Sequence, residues 1–279
     1  MSWSLILASF GGGILGAILG ALPTFIFTGF IGLIGVGVLA AGGPTTILND
    51  ITFGALLGPH IAFAGGVAAA AFAANKKHCL ENGIDIITPL KKTNDLSVLL
   101  VGGVFGVLGY LINYLYVHLS IPVDTVAMTV FTSGLIVRLI FGKTGIFGEF
   151  TPSNGEKRKF ISDAKSLYFI LLYSLGLGAV VSYCVDLTQI QVLGFVISAA
   201  LLVFLVLGFD IPVTHHITLV AGYATVASGS ILVGILFAVI AGVLGDIIEK
   251  TINNKYVDTH IDPPATTIFI CSLFIFTLM

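Results

Sequence analysis

Charge is what this sequence has least of. Asp, Glu, Lys and Arg together make up 9% of its 279 residues, against about 25% in a soluble domain. So few charges cannot clothe a water-facing surface, which excludes an ordinary soluble globular chain. The net charge of -2 offers no basic excess for nucleic acid. Cysteine is nearly as scarce: Cys79, Cys184 and Cys271 are far apart, which excludes a disulfide framework and a CxxC metal site. No H-E-x-x-H, no G-x-S-x-G and no acidic cluster with catalytic spacing occurs, so the chain does not read as an enzyme.

Two short motifs fail on context. Gly11, Gly13 and Gly16 imitate a dinucleotide fingerprint, but inside an apolar run with no preceding strand. Gly142-Lys143-Thr144 lacks the upstream glycine of a P-loop, since position 137 is Val. A cleaved leader is not expected either. Met1-Ser2-Trp3 carries no basic residue and the apolar segment that follows is long, so it reads as a first membrane helix.

What the chain has in quantity is apolar sequence: 57% hydrophobic residues and a mean hydropathy of +1.08. The expected fold is an all-α polytopic membrane protein. Runs near the ~20 residues of a bilayer crossing lie at Trp3 to Leu22, Thr24 to Ala41, Pro59 to Ala74, Leu96 to Leu119, Val123 to Phe141, Leu167 to Val185, Gln191 to Gly208, Pro212 to Gly229, Ile231 to Ile248 and Pro264 to Met279. That makes about ten crossings. Residues 44–58 are too short and too interrupted for an eleventh, and read as a re-entrant segment, which must be buried in protein or line an aqueous cavity.

All twelve Lys and Arg fall in three groups: Lys76, Lys77, Lys91 and Lys92; Arg138, Lys143, Lys157, Arg158, Lys159 and Lys165; Lys250 and Lys255. Basic loops face the cytoplasm, and two and four crossings separate the groups, so all three share the inner side. The amino terminus is then outside. Residues 1–141 form a first membrane half, 142–165 a cytoplasmic connection with turn signals at Thr151-Pro152-Ser153-Asn154-Gly155, and 166–279 a second half.

Five crossings per half make the halves inverted if they are homologous. An offset of 156 lays His60-Ile61 on His216-Ile217 and Gly66 on Gly222, and Pro122-Val123-Asp124-Thr125 echoes Pro264-Ala265-Thr266-Thr267. Inverted halves with broken helices are an architecture of secondary transporters. Small residues suit close helix packing in lipid; they recur at Gly12, Gly16 and Gly20, at Gly102 and Gly106, and at Gly234, Ala238 and Gly242, the last stripe ending on Asp246. These stripes also leave room for a homo-oligomer.

Ionisable residues at membrane depth are costly and mark function. His60 follows Pro59; Asp210, His215 and His216 flank Pro212; His260 and Asp262 precede Pro263-Pro264. Proline belongs in the first turn of a helix, so each group sits at a helix start, where capping is the plain explanation. Taken together, His60, Asp210, His215, His216, Asp246, His260 and Asp262 are the candidate site for a small ion or polar solute. His216, His260 and Asp262 are its candidate metal ligands, since imidazole and carboxylate suit a transition metal, and the same groups suit a proton relay. The expected function is an integral membrane permease or channel-like transporter. The alternatives are a non-catalytic subunit of a membrane complex and a membrane-embedded metal-dependent enzyme.

Overall fold

The structure is a computed structural model that describes residues 2–150, 152 and 157–279, so of the foreseen turn at 151–155 only Pro152 is included. Among the described residues it is all-helical. The α-helices are α1 (Trp3–Leu19), α2 (Ala21–Ala40), α3 (Ala62–Asn75), α4 (Leu96–His118), α5 (Thr125–Phe141), α6 (Ala164–Thr188), α7 (Leu193–Leu201), α8 (Val203–Val206), α9 (His215–Ser228), α10 (Ile231–Ile252) and α11 (Pro263–Leu278).

Four of them, α2, α4, α6 and α10, are long and apolar enough to cross a membrane. That is fewer than the ten expected. The other apolar runs do become helices, but shorter ones: α3 and α9 have 14 residues each, α11 has 16, and α1 and α5 have 17. At 1.5 Å per residue, 14 residues reach about 21 Å, short of the roughly 30 Å hydrocarbon core.

The chain's own stop signals set these lengths. Gly20, at φ +93°, parts α1 from α2 inside what hydropathy reads as one run, so it belongs to a turn and not to a packing stripe. Gln189, at φ +57°, ends α6. Four aspartates begin helices by accepting a backbone N–H: Asp95 from Ser97, Asp124 from Ala127, Asp163 from Ser166 and Asp262 from Ala265. Such a cap is worth about 1 kcal/mol. At Asp95, outside the helices, the Ser97 hydroxyl and then its amide and Lys77 hold the carboxyl low, at about 2.

The surface is the reverse of a soluble protein's. Leu7, Tyr168, Phe169, Leu172 and Leu232 point outward with 67% or more of their area exposed, and an apolar surface of this extent marks a membrane or protein contact. The interior holds small and hydroxyl side chains, among them Ser9, Thr28, Thr129, Ser174 and Thr267. Several satisfy themselves on a carbonyl one turn back, as Thr28 does on Thr24 and Thr267 on Pro263. Backbones approach very closely where α1, α3 and α4 meet: a methyl group on Gly13 would overlap the Gly102 carbonyl, and one on Gly65 would crowd both.

Residues 44–58 turn back along α2. Leu48 packs on Gly35, Thr52 on Gly32, and the Thr28 hydroxyl donates to the Leu57 carbonyl at 2.9 Å. The stretch contains one π-helical turn, Ile47–Thr52, and leads into α3, whose first residues lie beside Gly12 and Gly16 of α1. Thus α3 starts level with the middle of α1.

The three basic groups gather at one end of the bundle. Asp258, ahead of α11, accepts hydrogen bonds from Asn75 at the end of α3 and from the Lys143 amide and Thr144 hydroxyl after α5. Arg138, buried in α5, donates to the Thr259 hydroxyl at 2.9 Å, to the Thr259 carbonyl at 2.5 Å, and to the carbonyls of Ile146 and Ile252.

Candidate functional site

A cavity of about 500 Å³ lies inside this bundle, and four helix starts contribute to its walls alongside α6 and α10. Pro59 and Phe63 come from the beginning of α3, Asp124 and Ala127 from α5, His215 and His216 from α9, and Asp262 to Ala265 from α11. Four starts converge there because the short helices begin deep in the bundle. His216 packs on Gly245, seven residues before α10 ends at Ile252, which is about 10 Å inside that end. Helices α5 and α11 run past each other: Gly134 packs on Ile261 just before α11, and the Asp124 amide donates to the Ser272 hydroxyl at 2.8 Å. Each therefore starts beside the tenth residue of the other, with about 15 Å between the starts along the axes.

Asp124 lies towards one end of the cavity. One of its oxygens accepts the Ala127 amide at 2.8 Å and the other the Tyr223 hydroxyl at 2.7 Å. Asp262 lies towards the basic end, with the Ala265 amide at 2.7 Å and His260 Nε2 at 3.2 Å. Between them runs an aromatic wall. The His215 ring lies 4.8 Å from Phe25 and 5.8 Å from Phe195, and His260 stands edge-on to Phe63 at 5.9 Å. Helix α9 has no side-chain cap, and the amides of His215, His216 and Ile217 meet no acceptor among the described residues. The Nδ1 atoms of His215 and His216 are buried without a hydrogen-bond partner among the described residues.

Of the seven residues the sequence singles out, His215, His216, Asp246, His260 and Asp262 line this cavity. Asp246 does so while engaged: it accepts the Ser162 amide and hydroxyl at 2.8 and 2.7 Å and pairs with Lys250 at 2.9 Å. It anchors the connection ahead of α6. His60 is buried but outside the lining, and Gly109 of α4 packs directly on its backbone carbonyl. Asp210 is exposed in the connection from α8 to α9 and does not reach the cavity. The three candidate metal ligands are not drawn into one cluster. No group of three His, Cys, Asp or Glu side chains is placed to share a metal ion among the described residues; His260 and Asp262 pair with each other while His216 packs on Gly245.

Sequence reasoning missed Asp124 and Tyr223 as site residues. The signal for Asp124 was present, since Pro122-Val123-Asp124 before an apolar run is the same start signal as Asp262-Pro263-Pro264. Tyr223 carried none.

The chain belongs to a family described as a family of unknown function (DUF7973), which it matches over residues 1–155 and 169–279. No curated protein and no solved structure matches it.

Proposed function

We propose, on the cavity alone since the family carries no described activity, that this chain is an integral membrane permease moving a small solute through the space between its converging helix starts. The observation that carries the reading is that convergence. Helix ends at membrane depth are tolerated where they line a cavity, and four helix starts meet around one space of about 500 Å³.

The bundle reads as ten crossing elements in two inverted halves, with the π-helical turn plus α3 as one interrupted crossing and α7 plus α8 as another. Corresponding lengths support this: 14 and 14 residues for α3 and α9, 23 and 22 for α4 and α10, 17 and 16 for α5 and α11. So do the packing partners, since α3 contacts α1, α4 and α5 while α9 contacts α6, α10 and α11. The register differs from the offset of 156. Helix starts superpose Ala62 on His215 and with it Pro59 on Pro212, and Thr125 on Pro263 so that Asp124 answers to Asp262. With the basic loops cytoplasmic, the cavity mouth at Asp246, Glu249 and Asn253 faces inward and the Asp124–Tyr223 contact closes the outer side.

Reconstitution into liposomes tests the proposal. Solute uptake is expected in vesicles containing the protein and not in protein-free vesicles, with loss on Asp262→Asn, which keeps a helix cap. Equal uptake in both kinds of vesicle across cations, anions and neutral solutes would sink it.

A further inference from the structure

Resting on that transport reading, we infer that the solute is an uncharged aromatic molecule, held by phenylalanine rings that four separate elements bring to the cavity. The carboxyl groups are already taken. Both oxygens of Asp124 are bonded by the Ala127 amide and the Tyr223 hydroxyl, those of Asp246 by Ser162 and Lys250, and those of Asp262 by the Ala265 amide and His260. Glu249 lies at the mouth.

The wall that remains is aromatic. Phe25 comes from α2, Phe53 from the segment that turns back along α2, Phe63 from α3 and Phe195 from α7, and all four line the cavity. Phe25 stands edge-on to Phe63 and Phe195, with ring centres 5.8 and 5.7 Å apart, and Phe53 is tilted against Phe195 at 5.8 Å. The His215 ring continues the series, 4.8 Å from Phe25.

The contrast with the rest of the interior carries the inference. Where α1, α3 and α4 meet, the bundle closes so tightly that Gly13 and Gly65 have no room for a methyl group. Here four phenylalanines converge and about 500 Å³ still stays open. Protein interiors hold few voids larger than a water molecule. Apolar walls forfeit their contacts when such a space is empty and offer water too few partners when it is wet, so the space suits an apolar guest, as ligand pockets do. Rings pack favourably against another ring set edge-on or offset, which selects an aromatic guest over an alkyl chain. Benzene fills a cavity of about 150 Å³, so about 500 Å³ takes a guest of about two or three rings.

The test is titration calorimetry and thermal shift on the full-length protein in nanodiscs, with empty nanodiscs subtracted to remove partition into lipid. The probes are indole, its charged relatives tryptamine and indole-3-acetate, and 1-octanol as an alkyl guest. Saturable binding of indole is expected, at least tenfold tighter than that of the other three. Phe25→Leu and Phe195→Leu should each weaken it at least tenfold, with unliganded unfolding midpoints near wild type. Ala127→Phe, which puts a ring of the chain's own into the space, should abolish it in folded protein. Equal or tighter binding of a charged probe or of 1-octanol, indole binding unchanged in Ala127→Phe, or no saturable indole binding at millimolar concentration overturns the inference. Because binding is read apart from flux, uptake of a solute without indole binding leaves the transport reading standing. Indole binding with no uptake of any solute removes the transport reading and keeps the site.

Discussion

Asp124 and Asp262 begin their helices in the same way and meet one cavity from opposite ends, but their surroundings differ. Around Asp262 the chain is cross-linked. Arg138 ties Ile146, Ile252 and Thr259 together, and Asp258 ties Asn75, Lys143 and Thr144. Among the described residues, Asp124 makes two hydrogen bonds to other helices, accepting the Tyr223 hydroxyl and donating its amide to the Ser272 hydroxyl. One end is built as a fixed frame and the other as a latch. Two similar helix starts thus acquire different surroundings through what their neighbours supply, and under the transport proposed above the lightly held end is the one expected to let go.

Breaking the frame is the harshest way to test this contrast. Removing one partner from a buried charged network leaves uncompensated polar groups, at a cost of about 3–5 kcal/mol. Arg138→Met is therefore expected to lower the unfolding midpoint severely or to abolish folded protein, as read by thermal unfolding in detergent. Arg138→Lys keeps the charge but not the fork of donors, and should fall between Arg138→Met and wild type.

Packing away from both ends comes next. Gly13→Val forces α1 off the Gly102 carbonyl, and overpacking of this kind costs about 1–3 kcal/mol. Gly11→Ala, where an added methyl group meets nothing within 4 Å, should stay within about 0.5 kcal/mol of wild type. The same unfolding measurement separates the two.

The latch itself should cost less to remove than the frame. Tyr223→Phe removes one hydrogen bond to a carboxylate, about 1.5–3 kcal/mol, so its midpoint should move less than that of Arg138→Met. A collapse as large as that of Arg138→Met would erase the distinction between the two ends. Smallest of all, Asp210→Asn should change neither stability nor uptake, since the side chain is exposed and outside the lining.

The sequence disclosed much of this layout and little of its depth. Long apolar runs marked α2, α4, α6 and α10 within a few residues, because hydropathy and length are local quantities. Prolines and aspartates marked the starts of α5 and α11 for the same reason. Hydropathy did not register that α1 stops at Gly20, since the flanking residues on both sides are apolar and only the backbone angle changes. Nor did it show how far in the short helices begin, which depends on neighbours distant in sequence, such as Gly134 on Ile261 and His216 on Gly245. The site residues divide along the same line. His215, His216, His260 and Asp262 were legible from helix-start chemistry, and so in principle was Asp124. Tyr223 reaches Asp124 across 99 positions, a pairing no local pattern encodes. His60 looked equivalent to His216 in sequence but lies outside the lining, three residues out of the register that the helix starts share.

The central claim is that one cavity is served from both ends, with the Tyr223 latch controlling one of them. Accessibility of a cysteine at position 127, on the cavity wall beside Asp124, tests it most directly. With Cys79, Cys184 and Cys271 replaced, Ala127→Cys in oriented vesicles is labelled by an impermeant thiol reagent applied from each side in turn. The account predicts rapid labelling from the side of the basic loops, slow labelling from the other, and a gain on that other side when Tyr223→Phe is added. Labelling from the basic side alone, unchanged by Tyr223→Phe, would contradict it.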